Sequence, residues 1–448
     1  MGKFSKKGKE DKHKSPPLKC WGLLKEVNDA YDERIKAAID SKKPVVAATG
    51  MIPQQLIYPF DAVYVCGEWY GSICGFYRDV GLAETAEKCG FFHELCSYAR
   101  MMLGSMIEDR SFLGSYPKPS AVLGAEGLCV GQVKWFEALA RYHNVPFFVM
   151  DSAPIMAHPY KNWGEEAVKD SVEFVARQCG NAVDFLEWSL GQKLDEEKFV
   201  KTMRTMHRNE VLWDDLLDLW AMNPSPITIR NLFTFENLII SLPCTDDATR
   251  VLKEAIAEVH ERIDKGITGI ENEEVRLLWN AQPGWYILDT LEYFRSQGAT
   301  FVASPYLALW GSKYRFNSVG DAIPQWLREW KDPENIDECM WELAKGMTAQ
   351  NSARPRLDAT VEEIKRMAIE AEVDGGVWHA VRGCKGVSYG ALGEREALRN
   401  DLGVPGFIME GSQVDYRDFS EGPTLRQIRV FVEQVKRMKK RRIAKSSK

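Results

Sequence analysis

The sequence predicts an α/β protein with two small parallel-sheet domains and a helical subdomain between them. Short β-rich runs alternate with amphipathic helical stretches in both halves of the 448-residue chain, which is typical of parallel sheets covered by helices. A long middle segment contains no convincing strand, and the two halves share one order of strand, cysteine, helix and strand. These observations favour two sheet domains of the Rossmann or flavodoxin type.

Eight runs rich in β-branched and aromatic residues are predicted to be the strands. Four of them precede the middle segment and four follow it. In chain order they are KPVVAATG (43–50), FDAVYVC (60–66), SAVLGAE (120–126), VPFFVMD (145–151), GWYILDT (284–290), ATFVASP (299–305), GGVWHAV (375–381) and VPGFIME (404–410).

The middle segment reads as helical because its apolar residues recur at spacings of three and four, as in FVKTMRTMHRNEVLWDDLLDLW. A break is expected at residues 223–226, where the chain reads Asn-Pro-Ser-Pro. The predicted organisation is a tail and helix at 1–42, a first α/β domain at 43–164, a helical subdomain at 165–270, a second α/β domain at 271–435 and a basic tail at 436–448.

The two α/β domains repeat one local pattern. In the first, a strand ends at Glu126, Cys129 follows, and a helix leads to the next strand. In the second, a strand ends at Val381, Cys384 follows, and a helix again leads to a strand. The echo indicates two related β-Cys-α-β units, with each cysteine at the carboxyl end of a parallel strand, where open sheets bind ligands.

Ten cysteines occur in a chain without a secretion signal, so they are expected to stay reduced as core residues, metal ligands or nucleophiles. No C-x-x-C pair is present, which excludes a zinc ribbon, a thioredoxin motif and a bacterial ferredoxin run. The chain also lacks a G-x-x-x-x-G-K-[ST] loop, a G-x-G-x-x-G turn and an H-E-x-x-H helix. We therefore expect nucleotide hydrolysis to belong to another protein.

Cys96 lies in the helical stretch CGFFHELCSYARMMLGSM, upstream of Cys129. Three thiolates drawn from two domains, Cys96, Cys129 and Cys384, would leave one position of a metal site or an iron-sulfur cube open to substrate. The competing interpretation is that each is a small buried hydrophobe, which is the commoner role of a free cysteine. Spacing alone leaves both interpretations open.

Charge and hydropathy narrow the function class. The net charge is −6, although residues 1–19 and 436–448 are strongly basic, so the body between them is acidic. An acidic body repels a phosphate backbone, which excludes nucleic-acid binding outside the tails, and we expect both tails to be solvated and poorly ordered. No apolar run reaches the roughly 18 residues of a membrane span. A soluble, cytoplasmic protein is predicted.

The chain resembles the 2-hydroxyacyl-CoA dehydratase and benzoyl-CoA reductase family from about residue 43 to 438. Within the family it looks closest to a cluster-binding subunit of an ATP-dependent benzoyl-CoA reductase. The stretches that carry the resemblance are MIPQQLIYPFDAVYV (51–65), CSYARMMLG (96–104), GLCVGQVKWFEAL (127–139) with VPFFVMDSAP (145–154), LGQKLDEEKFV (190–200) with NPSPIT (223–228), DGGVWHAVRGCKG (374–386), VPGFIMEGSQVD (404–415) and LRQIRVFVEQV (425–435).

The resemblance implies a 4Fe-4S cluster held by Cys96, Cys129 and Cys384. The expected function is that of a benzoyl-CoA reductase subunit, which binds the aromatic acyl-CoA and delivers low-potential electrons to the ring to give a cyclic dienoyl-CoA. The expected partners are a homologous second cluster-binding subunit, ATP-hydrolysing electron-activating subunits and ferredoxin as upstream donor. Two alternatives stay open: a subunit of an (R)-2-hydroxyacyl-CoA dehydratase, and a non-catalytic scaffold.

Glu68 and Tyr70 follow the FDAVYVC strand and are candidates for the acid or hydrogen-bond donor of the pocket. The aromatic residues nearby, Trp69, Phe76 and Tyr77, would suit a flat acyl group, although structural packing explains them equally well. A solvated loop is the competing interpretation of Glu68 and Tyr70.

Overall fold

Two four-stranded parallel sheets form the framework of the protein, as the sequence predicts. The computed structural model describes residues 15–126, 129–151, 165–313, 324–353 and 357–446. The first sheet has the order β2-β1-β3-β4. Its strands are β1 (Val45–Ala48), β2 (Val63–Cys66), β3 (Ala121–Ala125) and β4 (Phe147–Met150), and its helices are α1 (Trp21–Ser41), α2 (Gly67–Phe76), α3 (Val80–Lys88), α4 (Ser97–Glu108) and α5 (Val130–His143).

Four helices follow the first sheet without a strand between them: α6 (Glu165–Leu190), α7 (Glu196–Trp220), α8 (Ile229–Ile240) and α9 (Asp246–Asp264). The starts of α7 and α9 are capped by side chains, since Asp195 accepts a hydrogen bond from the Lys198 N–H and Thr245 accepts one from the Ala248 N–H. The proline-containing break expected at 223–226 lies between α7 and α8.

The second sheet has the order β6-β5-β7-β8. Its strands are β5 (Val275–Asn280), β6 (Ala299–Ala303), β7 (Gly375–Val381) and β8 (Gly406–Gly411). The described helices that follow β5 in the chain are α10 (Leu288–Ser296), α11 (Pro305–Ala308), α12 (Gln325–Arg328), α13 (Ile336–Ala353), α14 (Leu357–Glu370), α15 (Lys385–Ser388), α16 (Ala391–Leu402) and α17 (Glu421–Ser446). The domain boundaries given above remain a prediction, and the one at residue 164 falls outside the described residues.

One strand prediction is wrong. The run 284–290 forms a short 3-10 helix, Trp285–Ile287, and the start of α10, whereas the strand is β5. The charge of Arg276 interrupts the apolar run of β5 and hides it from the hydrophobic pattern. The structure buries this guanidinium by pairing it with Glu273 and with the backbone carbonyls of Ala371, Ala221 and Met222.

The C-terminal tail also departs from expectation. Residues 436–446 continue α17 as a helix instead of a disordered segment. Lys439 and Arg442 pair with the buried carboxylate of Asp374, and Lys436 lies 3.0 Å from Glu274. These ion pairs attach the basic helix end to the second sheet. The basic run at residues 1–14 and residues 447–448 lie outside the described part of the chain.

The largest buried apolar cluster runs through both sheets and the helices between them, and a smaller one packs on the second sheet alone. The largest cluster includes Val46 of β1, Phe235 of α8, Leu277 of β5 and Phe431 of α17. The two sheets are therefore packed through one continuous core. This packing brings α2 and α4 of the first sheet close to the loop that follows β8.

Candidate active site

Three cysteines line one cavity between the two sheets and α8. Each lies at a helix start: Cys96 directly precedes α4, Cys129 precedes α5 and Cys384 precedes α15. All three border the same cavity of about 520 Å³. The structure thus brings together the three residues that the sequence singled out, although they come from distant parts of the chain.

The turn before Cys384 is held directly against the turn before Cys96. Gly383 has a φ of +78°, and a Cβ at this position would lie 2.9 Å from the carbonyl oxygen of Leu95 and 3.1 Å from that of Glu94. Both the backbone conformation and the close approach require glycine. This contact places a cysteine of the second sheet beside a cysteine of the first.

The surroundings of Cys96 and Cys129 favour the neutral thiol form when no metal cation is bound. Burial and, to a smaller extent, the neighbouring thiols of Cys384 and Cys129 raise the pKa of Cys96 to about 12, against the lowering effect of the Ala99 and Tyr98 N–H groups. Burial also raises the pKa of Cys129, while the N–H groups of Gln132 and Gly131 lower it. Positively charged metal would reverse this balance, because it binds the thiolate form.

The donor set fits a metal group that is larger than a single ion. Four ligands around one zinc ion at about 2.3 Å would place sulfur atoms roughly 3.8 Å apart. Among the described residues, the one set of three potential ligand atoms that all lie within 4.8 Å of each other is Glu87, His93 and Asp415, so the three thiols are spread more widely. That carboxylate set is already neutralised by Arg100 and Arg417.

Glu68 lies on α2 beside the cysteines and lines the same cavity. Its carboxylate accepts hydrogen bonds from the Gly50 N–H at 2.8 Å and from the Gln132 side-chain amide, and the Cys66 thiol lies 3.5 Å away. Burial raises the pKa of Glu68, against the lowering effect of the Gly50 N–H. Because both carboxylate oxygens already accept hydrogen bonds, the arrangement suits an acceptor better than the donor role expected from the sequence.

Tyr70 faces away from the cavity. Its side chain is fully buried, its hydroxyl hydrogen bonds with Ser105, and its ring packs against Phe112 and Tyr116. Side chains that are two positions apart on a helix point in different directions. Glu68 and Tyr70 therefore do not share the site. Of the neighbouring aromatic residues, Trp69 and Phe76 line the cavity.

Helix α8 supplies one wall of the cavity, which was not predicted from the sequence. The lining residues of this helix recur at the spacing of one helical face, and they are Arg230, Phe233, Thr234, Glu236, Asn237 and Ile240. Opposite and beside them stand Tyr98, Trp285 and Trp310, and the Trp285 indole N–H donates to the Tyr98 hydroxyl at 2.6 Å. The one sequence feature that could have indicated this wall is the acidic residue Glu236 within the otherwise mostly apolar run IRNLFTFENLII.

The fold and the site together define a class: an α/β protein with a three-cysteine cavity between two parallel sheets. Comparison with protein families makes this assignment more specific. The sequence model described as 2-hydroxyglutaryl-CoA dehydratase, D-component, matches residues 49–435. The chain belongs to this family, which confirms the resemblance found in the sequence.

Three similar proteins illustrate the range of the family. The (R)-2-hydroxyisocaproyl-CoA dehydratase alpha subunit of Clostridioides difficile is 24% identical, over 92% of this chain and 96% of its own. The (R)-phenyllactyl-CoA dehydratase alpha subunit of Clostridium sporogenes is 26% identical, over 76% of each chain. A benzoyl-CoA reductase subunit of Thauera aromatica is 24% identical, over 79% of this chain and 80% of its own.

These matches bear on the choice between a benzoyl-CoA reductase subunit, which was expected, and a dehydratase subunit, which was the alternative. The family model carries a dehydratase description, and the match to the C. difficile dehydratase subunit covers more of both chains than the match to the reductase subunit. The dehydratase alternative therefore fits better than the expected benzoyl-CoA reductase. None of the helices in the described ranges combines the length and the apolar character needed to cross a membrane.

Proposed function

We propose that this chain is a subunit of an (R)-2-hydroxyacyl-CoA dehydratase, which removes water from an acyl-CoA thioester. One observation carries the proposal: three thiols from two sheets and the buried carboxyl of Glu68 line one cavity, in a chain whose family is named for this reaction. The alignment with a dehydratase alpha subunit over 92% of the chain supports it.

We assign Cys96, Cys129 and Cys384 as the ligands of a 4Fe-4S cluster. Such a cluster, when bound, supplies one-electron chemistry at an iron that no protein residue ligates. The helix starts that follow Cys96 and Cys129 aim N–H groups at these two thiols, which favours the thiolate form that binds iron. The chain's own contribution is to place these three thiols around a cavity that also admits substrate.

The remaining side chains of the cavity bind the substrate and exclude water. Dehydration breaks the C2–O and C3–H bonds of the acyl chain and forms a C2–C3 double bond. Glu68, held in place by the Gly50 N–H and Gln132, is the group that we expect to accept a proton or a hydrogen bond from the acyl group. Trp69, Phe233 and Trp285 supply apolar surface for the acyl chain.

The same proposal includes partners. Because the sequence contains no phosphate-binding loop, ATP-driven electron activation is assigned to separate subunits, with ferredoxin as upstream donor. A homologous second cluster-binding subunit would complete the enzyme. In support, the similar proteins are themselves named as subunits of larger enzymes.

A benzoyl-CoA reductase subunit is the second candidate. The similarity to the reductase subunit of Thauera aromatica and the aromatic lining of the cavity favour it. Both candidates use the same cysteines, so the ligands do not distinguish them. The scaffold alternative differs from both because it needs neither iron nor substrate.

The test is substrate turnover by the anaerobically purified complex. We expect iron and sulfide in the preparation and conversion of 2-hydroxyacyl-CoA thioesters to enoyl-CoA. Ring reduction of benzoyl-CoA without dehydration would instead establish the second candidate. A fully folded protein that lacks iron after anaerobic purification and reconstitution would leave only the scaffold role.

A further inference from the structure

Glu236 is a buried carboxyl on the α8 wall of the cavity. Its side chain is 1% exposed, and the residues one turn away on the same helix, Phe233 and Ile240, are apolar. One oxygen, Oε1, accepts a hydrogen bond from the Tyr306 hydroxyl. The other, Oε2, has no hydrogen-bond partner among the residues that the structure describes. A buried polar atom without a partner is costly, so its position on a ligand cavity requires an explanation.

The cavity thus has two carboxyls with different surroundings. Glu68 belongs to the first sheet domain and its two oxygens accept hydrogen bonds from Gly50 and Gln132. Glu236 belongs to the helical segment and offers one unfilled oxygen. Tyr98 lines the cavity together with both carboxyls. Both carboxyls therefore border the same cavity.

Burial keeps Glu236 neutral near pH 7. It raises the pKa of Glu236 to about 8, while the hydrogen bond from Tyr306 opposes the rise. Among the described lining residues, the cationic side chain is Arg230, which forms an ion pair with Asp289 at 2.9 Å. The other titratable side chains of the described cavity wall are Asp32, Glu68, Cys96, Tyr98, Cys129, Tyr306 and Cys384. None of these is a cation, so none of them would hold Glu236 in its ionised form.

We propose that Glu236 is a catalytic residue that donates a proton from Oε2 to the departing 2-hydroxyl of the acyl-CoA, with Tyr306 as the residue that positions it. The inference rests on the proposed dehydratase function. In this step the C2–O bond breaks with its electron pair on the oxygen, and the Glu236 proton converts the departing hydroxide into water. The C3–H electron pair forms the C2–C3 double bond as the C3 proton leaves to a base and from there to solvent. The Glu236 carboxylate is reprotonated from solvent, and the net reaction neither gains nor loses electrons.

The direct test compares Glu236→Gln with a matched control in the assembled, iron-loaded complex. Glutamine keeps the size and the hydrogen bonding of the side chain but has no acidic proton. We expect kcat to fall by about 100-fold, in the range of lost general acid catalysis, with KM changed only a few-fold. The control is Glu394→Gln, another buried glutamate whose carboxylate accepts from Trp378 and Asn280 outside the cavity, and it should keep its activity.

A spectroscopic readout separates this inference from the proposed function. At pH 7, infrared difference spectra should show the carbonyl band of a protonated carboxyl, which Glu236→Gln removes and which shifts when an enoyl-CoA thioester is added. Absence of that band, or a band that ignores the thioester, overturns the inference whatever the turnover. Wild-type protein that shows the shift but dehydrates no 2-hydroxyacyl-CoA would contradict the proposed function and the leaving-group role together.

Two further results complete the test. A Glu236→Gln protein with normal circular dichroism, normal iron content and wild-type kcat shows that Glu236 transfers no proton, and the dehydratase proposal survives. For Tyr306→Phe, loss of the hydrogen bond that lowers the pKa of Glu236 should move the alkaline limb of the kcat profile to higher pH. An unmoved limb would contradict the positioning role of Tyr306.

Discussion

The guanidinium of Arg100 lies 2.7 Å from the carboxylate of Asp415, and this ion pair between the two sheet domains is shielded from solvent. Arg100 belongs to α4, one turn beyond Cys96, and Asp415 follows β8. Glu87 and Arg417 complete the cluster of charges. Burial alone would raise the pKa of Asp415, but the hydrogen bonds from Arg417 and Arg100 lower it to about 2. The cysteine site is therefore braced by a buried ionic contact beside it.

Replacing Arg100 with Met should destabilise the protein by about 3 kcal/mol. This lies at the lower end of the roughly 3–5 kcal/mol for breaking a buried pair, because Arg417 still neutralises Asp415. Urea denaturation measures the change. The matched control is Lys25→Met, which breaks the exposed Lys25–Asp29 pair and should cost about 1 kcal/mol or less. Equal losses in the two variants would show that the buried pair does not brace the domains.

Gly383→Ala should weaken cluster retention without unfolding either sheet. The added Cβ would meet the Leu95 carbonyl at 2.9 Å, so the turn before Cys384 would have to move away from Cys96. The control is Gly403→Ala, because Gly403 also has a positive φ but has no heavy atom within 4 Å of the added Cβ. Iron content per folded protein should fall in Gly383→Ala and stay near wild type in Gly403→Ala. Similar iron content in both would contradict the close-contact argument.

The buried Glu236 should make stability depend on pH in a defined direction. Its pKa is about 8 in the folded state against 4.5 ordinarily, so the folded protein holds a proton that the unfolded chain releases between these values. Stability is therefore lost as pH rises from about 4.5 to 8. Glu236→Gln lacks this loss, so its stability relative to wild type should increase across that window. Chemical denaturation at pH 5 and pH 8 measures the difference, and a constant offset would contradict a neutral Glu236.

The pattern of the sequence was sufficient to predict seven of the eight described strands and to single out the three cysteines. The pattern works there because β1, β3 and β4 are continuous apolar runs. It failed at β5, where Arg276 is buried through long-range pairing that no local pattern reveals. The pattern also did not reveal that α2, the helix after β2, turns the Tyr70 side chain away from Glu68 and toward Ser105, and the role of Tyr70 stays a prediction. Glu236 was missed because its role depends on the packing of α8 against both sheets.

The central claim is that Cys96, Cys129 and Cys384 together hold one iron-sulfur cluster in the cavity. The most direct measurement is the iron and sulfide content of anaerobically purified Cys→Ser variants. We expect each of the three single variants to lose most of its cluster, whereas Cys339→Ser and Cys179→Ser, at fully buried positions away from the cavity, keep it. Full iron and sulfide content in the Cys384→Ser protein would contradict a site shared by the two sheets.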